Sequence, residues 1–233
     1  MKDLRDQFYL NIVNNRISNK DASILVCGGG SLDKEIFIKL GFTNVTVSNL
    51  DTRASVDEFA PYKWDYQDAQ SMSYDDDSFD YVVIHAAIHH ASMPHKVLLE
   101  MYRVSKLGFL AFEARDSFLM KIVTKLNLTQ EYEHAAVFYN DCLYGGVNNT
   151  EIPNYVYRWT EREVIKLMNS YKPQIIHKIF FDYGSQIKFT NSLIFKFAFK
   201  VFFFLFKKQQ NLFSIFIDKD SKNVNYHKWY NKK

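Results

Sequence analysis

The chain has 233 residues, with 29 Lys and Arg against 26 Asp and Glu, and a net charge of +3 is too small to point to a nucleic-acid partner. Hydrophobic and charged contents of 47% and 24% are those of an ordinary soluble globular domain, and the length suits one domain with a proper core. Cys27 and Cys142 exclude a disulfide framework or a metal-ligand spacing, and the first residues lack a signal peptide's apolar core, so a reducing cytoplasm is the expected compartment.

In chain order, Leu4, Phe8, Leu10, Ile12, Val13 and Ile17 fall near helical spacing and predict an N-terminal helix over 3–18. The apolar run Ser23 to Cys27 predicts a strand that ends in Gly28, Gly29 and Gly30. Ser31 or Asp33 can cap a following helix with Ile36, Phe37 and Leu40 on its face, and Gly41 stops it. Val45 to Ser48 is the next strand. A strand, turn, helix and strand in so short a span imply a parallel crossover.

A loop with Phe59, Pro61 and Trp64 leads to Gln67, Asp68, Ala69 and Gln70, then to an acidic turn at Asp75, Asp76 and Asp77. That turn reads as a solvated strand approach rather than a metal site. A strand over Tyr81 to Ile84, a helix over His95 to Val104 and a strand over Phe109 to Phe112 continue the alternation. The expected fold is therefore α/β, doubly wound. Residues 116–159 are irregular and rich in Tyr, Asn and Gly. Thr160 with Glu163 at capping-box spacing opens a helix to about Ser170, and strands follow at Ile175 to Phe181 and Leu212 to Ile217.

The apolar stretch 192–206 is broken by Lys196 and Lys200 and is shorter than the roughly 20 residues that span a bilayer. It suits a helix packed on the domain or a partner, or a peripheral helix on a membrane surface. One domain is expected over 1–218, with 219–233 a flexible basic tail.

The Gly28–Gly30 turn lets a ligand approach the backbone closely and offers it a helix N-terminus. Asp33 stands where the last Gly of a dinucleotide fingerprint would be. Asn49 and Asp51, about 20 residues on, can hold ribose hydroxyls or form a strand-ending turn. The segment 138–159 is long for a connection, and Tyr139, Asn140, Asn148, Asn149, Tyr155 and Arg158 suit a hydroxylated small-molecule substrate, a carbohydrate among them. Trp159 suits stacking there.

Taken in order, Ile24 to Gly30, Val45 to Asn49, Gln67 to Gln70, Asp77 to Val83, Ile88 to His90 and Leu99 to Gly108 resemble the class I S-adenosylmethionine-dependent methyltransferases, most of all their small-molecule branch. The likeness covers about residues 20–115, and the segment after it is similar to that of methyltransferases of bacterial surface-glycan synthesis. It implies a Rossmann-like, mostly parallel sheet with an antiparallel last strand. It also implies S-adenosylmethionine as cofactor, with Gly28, Gly29 and Gly30 at its amino-acid end, Asn49 or Asp51 at the ribose, Asp68 and Ala69 at the adenine and His85 near the methyl group. Val26 and Leu32 depart from the family's acidic residue and closing Gly.

Methyl transfer needs donor and acceptor positioned, and a hydroxyl acceptor must also lose a proton. His89 and His90 follow the fourth strand, where this fold places its chemistry. His89 is slightly favoured as general base, with His134 and Glu113 the further candidates. The function expected is O-methylation of a small hydroxylated molecule, such as a sugar or nucleotide-linked sugar. The alternatives are a nicotinamide-dependent oxidoreductase and a catalytically silent binding module.

Overall fold

A computed structural model describes residues 4–186 and 193–230. In chain order the elements are α1 (Leu4–Arg16), β1 (Ile24–Cys27), α2 (Ser31–Lys39), β2 (Val45–Asn49), α3 (Val56–Phe59), β3 (Lys63–Tyr66), β4 (Phe79–His85), α4 (Pro94–Val104) and β5 (Ser105–Ala114). Then come α5 (Phe118–Lys125), α6 (His134–Phe138), α7 (Glu161–Tyr171), β6 (Ile175–Ile176), β7 (Lys178–Gly184), α8 (Leu193–Leu205), β8 (Leu212–Asp218) and β9 (Asn225–Tyr226).

Seven strands form one sheet in the order β3-β2-β1-β4-β5-β8-β7. The first five run parallel, whereas β8 is antiparallel to β5 and β7 is antiparallel to β8. The expected doubly wound, mostly parallel architecture is present. Side chains alternate across it. Ile24 and Val26 join α1 and α2 on one face, against Tyr9, Val13, Ile36 and Phe37. Leu25 and Cys27 join α4 and α7 on the other, against Val97, Met101, Val164 and Met168. Both layers are buried, as a crossover sheet requires.

Three differences from the sequence expectation have physical causes. The loop before Gln67 contains β3, an edge strand whose four residues are half-buried or exposed, so it carries no apolar run. The capping box at Thr160 forms as expected, each partner bonding the other's backbone, but the strand after α7 divides into β6 and β7. The tail, expected to be flexible, turns back: Tyr226 and Asn225 pair with Ile175 and Ile176. Lys219 then bonds Asp77 at 3.0 Å and the carbonyls of Tyr102 and Ser105.

The apolar stretch is helical over α8, with Ser192 outside the described residues. No helix among the described residues is long and apolar enough to cross a membrane.

Candidate active site

The carboxyl ends of β1, β2 and β4 meet at the Gly28–Gly30 turn, where an open α/β sheet binds ligands. Gly28 has φ +58°, and a Cβ there would lie 2.6 Å from the Ala87 Cβ. A Cβ on Gly29 would lie 2.7 Å from Val47 Cγ1, whereas one on Gly30 would meet open space. The first two glycines therefore let the turn fit under β4 and β2, and the third faces the cavity. Asp33, in the first turn of α2, accepts the Gly30 amide at 2.9 Å and the Tyr9 hydroxyl at 2.7 Å. Burial raises the pKa of both side chains. Val26 and Leu32, the two departures in this region, pack into the core layer beneath.

Above the turn lies a cavity of about 660 Å³, lined by Gly28, Gly29, Gly30, Asn49, Asp51, Asp68, Ala69 and His90 among others. Asn49 gives its amide to the Gly29 carbonyl at 2.9 Å, and its oxygen accepts the Asp51 amide at 3.0 Å, so it fastens the turn to β2. Asp51 accepts two bonds from the Arg53 guanidinium, at 2.8 and 2.7 Å, which lower its pKa. Arg53 also reaches Asn140 at 3.1 Å and lies over the Tyr144 ring.

Gln70 is the residue that sequence reasoning passed over. It is buried, and its amide nitrogen donates to Asp68 and to Asn148 at 3.1 and 3.0 Å. Its oxygen accepts the Ser92 hydroxyl and the Met93 amide at 2.9 and 2.8 Å. Its only signal was its place in the Gln67–Gln70 run. Asn148 and Asn149, expected at the substrate, instead wall the first cavity. Both have left-handed backbone, φ +50° and +60°, a conformation that Asn tolerates better than most residues. Asn149 donates to the Leu50 carbonyl at 3.1 Å.

A second cavity, of about 260 Å³, lies beyond the end of β4, lined by Arg5, His85, His89, Glu113, Glu133 and Arg158 among others. His89 Nδ1 is 2.6 Å from Glu113 Oε2, and His89 Nε2 is 3.2 Å from Glu133 Oε2. The other Glu113 oxygen accepts the Ile88 amide at 2.8 Å. Burial opposes charge on His89, but the two carboxylates outweigh it and hold its pKa up at about 10. The bond from His89 in turn draws Glu133 down to about 2. His90, 3.6 Å from Glu133, is lowered by burial and by the charge on His89. His90 is thus neutral at pH 7 and faces the first cavity, beside an imidazolium facing the second.

Other expected site residues fall elsewhere. His85 stacks on Tyr9 with centroids 4.3 Å apart, is lowered to about 3 by burial, and lines the second cavity rather than the first. His134 opens α6 in an exposed position, and neither cavity includes it. Tyr139 is 82% exposed and Asn140 is spent on Arg53 and the Ala136 carbonyl. Tyr155 packs on Tyr132 at the surface, while Trp159 is fully buried in the core. Arg158 does line the second cavity, its guanidinium donating to the Gln130 carbonyl at 2.9 Å.

His89, His90 and Glu133 also bring ligand atoms within 4.8 Å of one another, a donor set that can hold a divalent ion. The acidic turn is tied down by basic groups: Asp76 pairs with Arg103 and Asp77 with Lys219, each at 3.0 Å.

Residues 25–112 match the family model of a methyltransferase domain. No curated protein matches the chain. Among solved structures, a chain from the Haloferax volcanii complex of a methyltransferase activator with a methyltransferase superposes at TM-score 0.57 and 13% identity, over 97% of this chain and 92% of that one. A SAM-dependent methyltransferase from Methanosarcina mazei gives 0.54 and 18%, over 89% and 96%. Magnesium protoporphyrin IX methyltransferase from Synechocystis, with bound SAH, gives 0.54 and 11%, over 92% and 82%. At these identities the likeness is one of fold. The first cavity fits the cofactor of that domain: its size lies in the range of small-molecule sites, roughly 300–1,000 Å³, and its glycine cradle leaves backbone open to a ligand. The matched segment is that of a methyltransferase domain, which implies S-adenosylmethionine as cofactor, and the fold around it is the one these structures share.

Proposed function

We propose that the chain transfers a methyl group from S-adenosylmethionine to a hydroxyl of a small acceptor, such as a sugar or a nucleotide-linked sugar. The observation that carries this reading is how near the two linings come: His90 of the first cavity follows His89 in the chain and lies 3.6 Å from Glu133, both of the second. A donor in one and an acceptor in the other would meet across the end of β4.

Bound there, the cofactor supplies an electrophilic methyl on a positive sulfonium. The chain's own residues do the rest. The Gly28–Gly30 backbone receives the amino-acid end, Asp51 the ribose, and Asp68 with Ala69 the adenine; Asn49 holds the turn in shape. Its lowered pKa leaves His90 free to accept the acceptor's proton, whereas His89, held protonated, is a fixed positive group that orients Glu133. Arg158, with Gln130 and Thr129 beside it, gives the second cavity donors and acceptors for a polyhydroxylated ligand.

The test is calorimetric titration with S-adenosylmethionine, followed by transfer of labelled methyl to a panel of sugars and nucleotide sugars. Binding with turnover on a hydroxylated acceptor is expected. No heat of binding and no transfer would reject the reading.

A further inference from the structure

Two neighbouring helices carry apolar side chains into solvent. α5 buries none of its residues, and Phe118, Leu126 and Leu128 in and beyond it are 70, 60 and 72% exposed. Along α8, among the described side chains, only Phe203 is buried; Phe204, and Phe206 just after the helix, are 74 and 54% exposed. The turn Lys207–Gln209 joins the two: the Gln209 side chain accepts the Leu119 amide at 2.9 Å and its carbonyl accepts the Ser117 hydroxyl at 3.3 Å. The start of α5 therefore abuts the end of α8. Single apolar side chains at a surface are ordinary, but a set spread over two adjoining helices marks an interaction face.

Charge selects the occupant. Between Asp182 and Asp218 the sequence has five Lys and no acidic residue, and from Ser117 to Gln130 it has Lys121 and Lys125 and again no acid. Lys207 and Lys208 are exposed at the edge of the apolar side chains. A second copy of the chain would set lysines against lysines. An anionic bilayer complements both features, with apolar side chains entering the acyl boundary and lysines meeting lipid phosphates. We propose that α5, α8 and the turn after α8 dock on an anionic membrane surface, lying in the interface. With 13 residues at about 1.5 Å each, α8 is too short to cross.

The docking face also sets where the acceptor enters. Met120 of α5, Gln130 after it, and Asn211 and Leu212 beyond α8 line the second cavity. An acceptor whose hydroxylated head group is anchored in lipid would reach that cavity from the bilayer. This choice of acceptor rests on the methyltransferase reading, whereas docking does not.

The full chain is sedimented with vesicles of phosphatidylcholine alone and of phosphatidylcholine mixed with phosphatidylglycerol. It should pellet with the anionic vesicles and stay in solution with the neutral ones. Phe118→Ser with Phe204→Ser should lower the partition at least tenfold. Lys207→Gln with Lys208→Gln should lower it by roughly 25-fold, about fivefold for each lysine removed. Circular dichroism and S-adenosylmethionine calorimetry on the same samples check that the variants fold and keep the first cavity. Equal pelleting with both vesicles, or with neither, overturns the proposal. So does a dimer by light scattering that Phe204→Ser abolishes, since a second copy would then cover the face. Vesicle binding without heat from S-adenosylmethionine would leave docking standing and remove the methyltransferase reading instead.

Discussion

The Glu113 carboxylate is held 2.6 Å from His89 Nδ1 while its second oxygen takes the Ile88 amide, so a fully buried acid fixes both the ring and the turn that carries it. The ion pair makes stability depend on pH in a definite direction. His89 is raised from 6.5 to about 10, so its contribution is complete below pH 6.5 and lost as pH rises through 10. Glu133 is lowered from 4.5 to about 2, so its contribution is complete above 4.5 and lost as pH falls through 2. Glu113→Gln should cost about 2–3 kcal/mol near pH 6, and its urea midpoints should fall less steeply between pH 6.5 and 10 than those of the parent. Parallel curves for the two proteins would show that the pair does not form.

The same pair separates the roles of the adjacent histidines. A base must be neutral to accept a proton, and His90 is the one whose pKa is lowered. His90→Ala should reduce turnover by roughly 100-fold while S-adenosylmethionine affinity stays within a few-fold. In the parent, kcat/KM should be flat through neutrality and fall on an acid limb below pH 6.5. An unchanged rate in the variant would remove His90 as the base.

The core of this fold was legible because its strands are short apolar runs bounded by Gly and acidic turns, as at Ile24–Cys27 and Phe79–His85. The first cavity was legible for the same reason: its residues sit at strand ends, where spacing along the chain fixes position in space. β3 was hidden because an edge strand needs no apolar pattern. The second cavity was harder to read. Glu133 and Arg158 come from the irregular insertion and Glu113 from β5, and their meeting at His89 follows from tertiary packing. Asn148 and Asn149 of that insertion line the first cavity and not the second, since composition does not say where a loop folds back.

Gly28 is the position where the cofactor turn tolerates least. Its left-handed φ of +58° strains any L-residue, and the 2.6 Å approach to Ala87 leaves no room for a methyl. Gly28→Ala should destabilise the protein by about 1–3 kcal/mol and weaken S-adenosylmethionine at least tenfold. Gly30→Ala is the matched control, because its Cβ would enter open space: stability should hold, and only ligand affinity should change. Equal loss of stability at both positions would mean that the turn is not shaped as described.

Gln70 couples the Asp68 side of the first cavity to the 145–149 segment over it, since it bonds Asp68, Ser92, the Met93 amide and Asn148. Truncation to Ala would leave those partners to water or unpaired at a position only 3% exposed. The cost should be about 1–3 kcal/mol in stability, and on the proposed reading, with the base at His90, the KM for S-adenosylmethionine should rise with kcat little changed. Gln70→Glu keeps the shape and the acceptor but loses the amide donor to Asn148 and sets a carboxylate against Asp68. If donation to that segment matters, its KM should rise as far as that of the Ala variant. A Gln70→Glu enzyme with the parent's KM would show that the segment is held instead by its other bonds, Asn148 with Ser92 and Asn149 with Leu50.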